Sequence, residues 1–327
     1  MAIKHLLSVA DLGQKNLVQL IDRSVDFALG RDRVRKPLEG KIVGVYFPKP
    51  STRTRTSFTV GALKLGAQTV CYGPGDLQLV TGETINDTAR VLSCYLDALV
   101  IRTNGSFAEM REWADQDRIT IINAMSENEH PTQAIADLST IKEACGRLEG
   151  IHLLYLGEGN NTAAALALAV AQIPGMKVTF VTPPQYGFSK GILVQVSDLA
   201  GRYGGTVEHF HSMDKLPANV DAVYATRWQT MGEPHPDPDW RKAFAPYSLS
   251  TAVLRRVSKP SGTIVLHDLP SVRGEDAADE VLDGKQSWVW RQAHHKMFSA
   301  MAVLQWCLDQ GTSELVAEAR APSFSRP

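Results

Sequence analysis

Short apolar runs alternate along this chain with longer stretches in which apolar side chains recur every three or four positions. In the first half the short runs are Ile42 to Phe47, Thr69 to Tyr72, Ala98 to Ile101 and Ile119 to Ile122, each read as a strand. A helical pattern opens the chain from Asp11 to Ala28, and others fall between the strands at Thr54 to Leu65, Ile85 to Cys94 and Phe107 to Asp115. That alternation predicts βαβ units on a parallel sheet.

A further helical stretch begins near Pro131, runs towards Cys145 and stops at Gly146. A second alternating series follows, with strands at His152 to Leu156, Lys177 to Val181, Thr206 to Phe210, Ala222 to Ala225 and Thr263 to Leu266. The fold class predicted is α/β, with two doubly wound parallel-sheet domains carrying helices on both faces. The boundary falls near residues 140–150, giving a first domain of 1–145 and a second of 146–287. A last helical stretch, Trp288 to Leu308, comes after the second sheet is complete. Met231 to Asp239 is crowded with proline, glycine and aspartate and reads as a loop, and residues 321–327 as a frayed tail.

Composition narrows the function classes. A chain of 327 residues exceeds one ordinary core, in keeping with two domains. Its 34 basic and 35 acidic side chains nearly cancel, which argues against broad nucleic-acid or membrane-surface binding while permitting a local basic pocket. Cys71, Cys94, Cys145 and Cys307 are scattered and suggest neither a disulfide framework nor a zinc site. Met1 to Leu7 lacks a signal-peptide pattern, and the small-apolar run from Ala163 to Val170 is far short of a membrane span, so a cytoplasmic setting is expected.

The chemistry concentrates where strands end. After Ile42 to Phe47 come Pro48, Lys49, Pro50 and then Ser51-Thr52-Arg53-Thr54-Arg55, opening a helix. Hydroxyls, unpaired backbone N–H groups and two guanidinium groups at one helix start suit a phosphate. His130-Pro131-Thr132-Gln133 opens another helix, with proline in its first turn, so His130 and Gln133 can converge on one ligand. Arg102 ends a strand, either as a solvated residue or at the sheet edge where open α/β sheets bind ligands.

Together these motifs resemble the aspartate and ornithine carbamoyltransferase family, most closely its ornithine branch, over nearly the whole chain. The resemblance implies carbamoyl phosphate as donor, held by Ser51, Thr52, Arg53 and Thr54 with Arg102. Thr54, Arg102 and His130 would polarise the carbonyl, and Gln133 and the backbone near Leu269 would hold the carbamoyl NH2. It also implies that the last helical segment, 288–320, packs back on the first domain. The stretch from Asp76 to Leu92, a loop leading into a helix, is either a plain loop-helix junction or, as it resembles, the loop that the ornithine enzymes pass into a neighbouring subunit. Gln78 would be the reaching residue, in a homotrimer or multiple of trimers with shared active sites. No cofactor, metal, nucleic acid or membrane partner is implied.

The acceptor side departs from the ornithine pattern. Gly157-Glu158-Gly159-Asn160-Asn161 resembles the family turn whose last asparagine meets an acceptor carboxylate, here Asn161. The family's Asp-x-x-x-Ser-Met-Gly loop is here Thr226-Arg227-Trp228-Gln229-Thr230-Met231-Gly232; its Thr-Arg-x-Gln resembles the aspartate enzymes and makes Arg227 a candidate carboxylate clamp. The turn His267-Asp268-Leu269-Pro270 carries aspartate where cysteine or proline is usual. Asp268 is either a turn residue or the group that faces the acceptor amine. Lys296 stands where the family's arginine is expected, giving charge without the planar fork. Adjacent His294 and His295 point about 100° apart on a helix and do not suit a shared metal.

The function expected is therefore carbamoyl transfer to the amine of a small amino-acid-like acceptor, in a pocket altered from the ornithine type. Ornithine itself, and a non-catalytic binding relative, stay open. A dinucleotide-dependent oxidoreductase would need a fuller glycine fingerprint than Gly157-Glu158-Gly159.

Overall fold

The computed structural model describes residues 3–31, 36–116, 118–229 and 235–308. The first domain runs α1 (Gly13–Ala28), β1 (Ile42–Tyr46), α2 (Thr52–Lys64), β2 (Gln68–Tyr72), α3 (Ile85–Leu92), β3 (Ala98–Arg102), α4 (Phe107–Ala114), β4 (Thr120–Met125) and α5 (Pro131–Cys145). The second runs β5 (His152–Leu156), α6 (Asn161–Ala171), β6 (Lys177–Val181), α7 (Lys190–Tyr203), β7 (Thr206–Phe210), β8 (Ala222–Ala225), α8 (Trp240–Phe244), α9 (Thr251–Val257), β9 (Ile264–His267) and α10 (Asp279–Leu282). A final helix, α11 (Val289–Leu308), closes the described chain.

Each series forms its own parallel sheet, of order β2-β1-β3-β4 and β7-β6-β5-β8-β9. In both, the chain winds to one side of its first strand and then crosses back to the other. The reversals lie between β1 and β3 and between β5 and β8. At such points the loops leaving neighbouring strands diverge and open a crevice at the strands' carboxyl ends.

All nine strands fall on the apolar runs read from the sequence, with ends shifted by a residue or a few. β4 starts at Thr120 and continues to Met125, because Asn123 and Met125 extend the pairing with β3 past Ile122. β9 begins at Ile264, since the Thr263 hydroxyl donates to the Val220 carbonyl at 2.7 Å and ties off the strand's start.

The two sheets share one continuous apolar core. α5 is buried from Pro131 through Ile141, and every residue of α6 is buried. Alanines at Ala163, Ala164, Ala165, Ala167, Ala169 and Ala171 let α6 pack closely against α5 and α7. Gly146, at φ 74°, ends α5 in the left-handed turn that glycine adopts most readily. α11 packs on α1, α2 and α5, all of the first domain. Residues 309–320 of the expected last segment, the tail 321–327, and Met231 to Pro234 of the expected loop lie outside the described residues.

A close contact fixes α2 against α11. A Cβ on Gly61 would sit 3.1 Å from Met301 Cγ and 3.5 Å from the Met297 carbonyl oxygen. Gly61→Leu should therefore separate the helices and lower the unfolding free energy by about 1–3 kcal/mol. Urea denaturation followed by tryptophan fluorescence would measure this.

Candidate active site

The two crevices face each other and form one cleft. On the first domain, Ser51 occupies the N-cap of α2 in extended conformation (φ −155°, ψ 94°), yet its side chain makes no capping hydrogen bond. Because the cap is unused, the first-turn N–H groups stay available to a ligand, with the positive end of the helix dipole behind them. Thr52, Arg53 and Thr54 also line the cleft, and Arg102 reaches across from the end of β3 to donate from Nη1 to Thr54 Oγ1 at 3.3 Å.

These cations are held partly out of water. Burial and the neighbouring Arg53 guanidinium bring Arg102 down to about 10, with Asp268 pulling the other way. Burial also lowers Arg53, again opposed by Asp268. His130 sits at the N-cap of α5, buried, and burial with Lys296 and Arg102 nearby depresses its pKa well below the usual range. A neutral imidazole can offer one N–H to a carbonyl oxygen at neutral pH. Its backbone N–H donates to the Asn161 carbonyl at 3.1 Å, joining the two domains at the cleft floor.

Behind this wall lies a polar network that the sequence did not reveal. Lys296 of α11 donates to Gln133 Oε1, and Gln133 Nε2 donates to Asp137 Oδ1 at 2.6 Å. Gln292 Nε2 donates to the same carboxylate oxygen at 2.7 Å, while Gln292 Oε1 accepts the His267 backbone N–H at 2.7 Å. The chain of bonds runs from α11 through α5 to the end of β9, so the two walls of the cleft share one support. Asp137 is fully buried, and its carboxyl is raised well above the ordinary range by burial, despite the Gln292 and Gln133 bonds. Asp137 and Gln292 are one helical turn from Gln133 and Lys296 respectively, and that spacing was the available signal for both.

The network alters the expected role of Gln133. Its carboxamide is already spanned between Lys296 and Asp137, leaving one N–H and one lone pair for a ligand. Leu269, at φ 52° before the cis Leu269–Pro270 bond, donates its N–H to His267 Nδ1 at 2.8 Å. What this residue can offer an NH2 group is therefore its carbonyl. His267 Nε2 in turn pairs with buried Asp276 at 2.7 Å, which fixes the turn.

On the opposite wall, Gly157 leaves β5 at φ 128°, and a Cβ there would meet Thr226 Cγ2 at 2.7 Å. Asn160 caps α6 by accepting the Thr162 and Ala163 N–H groups at 3.0 and 3.1 Å. Asn161, expected to meet a carboxylate, uses Nδ2 to donate to the Ser126 carbonyl at 3.0 Å, so its first role is to hold the domains together. Thr226 is buried and donates to Asp268 Oδ1 at 3.1 Å, positioning that carboxylate in the cleft. Arg227 and Gln229 line the same cleft, and Arg227 Nε is buried without a partner.

The structure thus gathers Ser51, Thr52, Arg53, Thr54, Arg102, His130, Gln133, Asn161, Thr226, Arg227, Gln229, Asp268, Leu269 and Lys296 into one cleft. Thr230 and Met231 lie outside the described residues. Gln78 is not brought in: it is exposed in the short 3-10 segment Gln78–Thr81, where its Oε1 accepts the Thr81 hydroxyl at 2.8 Å. His295 is buried between Ser139 (2.9 Å) and Glu143 (2.6 Å), whereas the His294 ring packs on Phe298. No metal-binding cluster occurs among the described residues, and no described helix is long and apolar enough to cross a membrane.

The cationic helix start at one switch point and the polar wall at the other meet in a single cleft of a two-sheet α/β protein. Residues 4–143 match the carbamoyl-P binding domain, and residues 149–307 the Asp/Orn binding domain, of aspartate/ornithine carbamoyltransferase. The chain belongs to that family and is a carbamoyltransferase. It is 37% identical over 306 residues to an ornithine carbamoyltransferase of Methanothermobacter thermautotrophicus, covering 94% of this chain and 99% of that one. It is 39% identical over 318 residues to one from a Parafrankia species, covering 96% and 98%. The solved ornithine carbamoyltransferase of Pyrococcus furiosus superposes with a TM-score of 0.88 at 33% identity, covering 94% of this chain and 98% of that one.

Because α2 uses no side-chain cap, Arg53 and the helix start should act together on an anion. Arg53→Ala should weaken inorganic phosphate binding about 10–100-fold, the loss of one charge-assisted contact of about 1.5–3 kcal/mol. Ser51→Ala should cost only a few-fold, and calorimetric titration would measure both.

Proposed function

We propose that this chain transfers the carbamoyl group of carbamoyl phosphate to the side-chain amine of ornithine, or of an amino acid close to it, and releases phosphate. The observation that carries this reading is the convergence on one cleft of the open α2 start, Arg53, Arg102 and His130 from the first domain with Arg227 and Asp268 from the second. Donor phosphate would lie on Ser51, Thr52, Arg53 and Thr54 with Arg102. The carbonyl oxygen would face Thr54, Arg102 and His130, with the carbamoyl NH2 towards Gln133 and the Leu269 carbonyl. An uncharged amine then attacks the carbonyl carbon. The C–N bond forms, the C–O bond to phosphate breaks, and the leaving phosphate takes the amine proton. Fixed donors meet the charge that grows on oxygen, so the protein positions the reactants and stabilises charge.

Ornithine is favoured over the altered acceptor expected from the sequence, because the relatives described above are all named ornithine carbamoyltransferases. A second reading rests on Asp268, which is held by Thr226 in the cleft where it can face an ammonium group, with Arg227 across from it as a carboxylate clamp. On that reading an amine other than ornithine is the better acceptor. Retention of the donor residues argues against a purely binding role.

A cytoplasmic homotrimer, or a multiple of trimers, is part of the same proposal. In it Gln78 serves a neighbour's cleft. Its exposure away from its own cleft supports this, as do exposed Leu63, Val70, Val80, Val91 and Tyr95 on the same domain.

Colorimetric scoring of ureido products from carbamoyl phosphate with ornithine, aspartate and short diamino acids should give ornithine the highest kcat/KM. No product from any amine would refute transfer. Asp268→Asn should lower acceptor kcat/KM at least about tenfold if the carboxylate faces the amine; unchanged kinetics would remove the second reading. For the shared site, Gln78→Ala and Arg102→Met should each be nearly inactive. Mixing and reassembling the two should restore a measurable fraction of activity, read by the same assay.

A further inference from the structure

Lys296 is a buried cation of the cleft that has no ion-pair partner among the described residues. It comes from the middle of α11 and is buried, yet its bond goes to a neutral amide oxygen, Gln133 Oε1. Among the described residues no carboxylate forms an ion pair with it, although Asp137, which shares Gln133 with it, and Asp268 both act on its charge through space. Arg102 from β3 and Arg53 from α2 also face the same space, and neutral His130 lies on α5. On its own helix Gln292 is committed to Asp137 and His267, and His295 to Ser139 and Glu143. A third cation buried beside two guanidinium groups is unfavourable until an anion enters.

We infer that Lys296 is a proton-linked anchor for the donor: uncharged when the cleft is empty, it takes a proton from solvent as the dianion binds, so that binding consumes about one proton. This rests on the donor assignment made above. Geometry and titration agree. Burial, then Arg102 and Arg53, bring the empty-site ammonium down to about 7, with Asp137 and Asp268 opposing. An incoming dianion adds two negative charges next to that nitrogen and favours its charged form. The neutral amine relieves repulsion among three cations in the free enzyme, and the ammonium contributes charge when phosphate is present. An arginine at this position would stay charged throughout and could not behave in this way.

The test is calorimetric titration of the full-length enzyme with carbamoyl phosphate, in phosphate-free buffers of different ionisation enthalpy. The slope of observed heat against buffer enthalpy counts the protons taken up. The expected uptake is larger at pH 8 than at pH 6.5, because Lys296, lowered by burial and the nearby guanidinium groups, is more fully charged at the lower pH before the donor binds. Lys296→Arg should still bind the donor but with a slope near zero at pH 8. Binding without proton uptake at pH 8, or an uptake that does not fall towards pH 6.5, would overturn the inference from the unaltered protein alone. An uptake that survives in Lys296→Arg would overturn it too and move the proton to Asp137 or His130. Absence of any binding would instead strike down the donor assignment, and the inference with it.

Discussion

Everything in the cleft is arranged around positive charge that the protein itself does not neutralise. Arg53, Arg102 and Lys296 converge beside an uncapped helix start, and the carboxylate among them, Asp268, is turned towards the Thr226 hydroxyl. Burial lowers all three, and the neighbouring guanidinium groups lower Arg102 and Lys296 further. Their convergence makes sense as a site completed by an anion, and the rest of the fold holds them in place. α11 supplies Lys296 only because it returns to pack on α1, α2 and α5.

The two sheets are usefully seen as one machine with two faces. Each presents its switch point to the other, and α5 and α6 fill the space between with a shared apolar core. Two sets of polar bonds cross that seam near the chemistry. One joins Asn161 to Ser126 and His130, and the other runs from Lys296 through Gln133, Asp137 and Gln292 to His267. The second set ends at His267, beside the turn that carries Asp268 and Leu269.

The acceptor wall shows how one residue change redistributes roles. Thr226, read as an acceptor contact, is buried and donates to Asp268. Asn161, read the same way, spends one N–H on the seam. Arg227 keeps a buried Nε without a hydrogen-bond partner.

By itself the sequence determined the nine strands, the parallel α/β class and the anion-binding motifs, because each is written in local spacing. Apolar runs make strands, Ser51 to Arg55 after a strand makes a cradle, and Pro131 and Gly146 bracket a helix. Only the tertiary structure decided that Gln133 is a relay to Asp137, that Thr226 positions Asp268, and that Lys296 lies buried among guanidinium groups. These partners are 4, 42 and up to 243 positions apart, the last being Arg53 and Lys296 (296 − 53). A hydrogen bond or a pKa depends on distance and burial in space, and no pattern of neighbours along the chain encodes either.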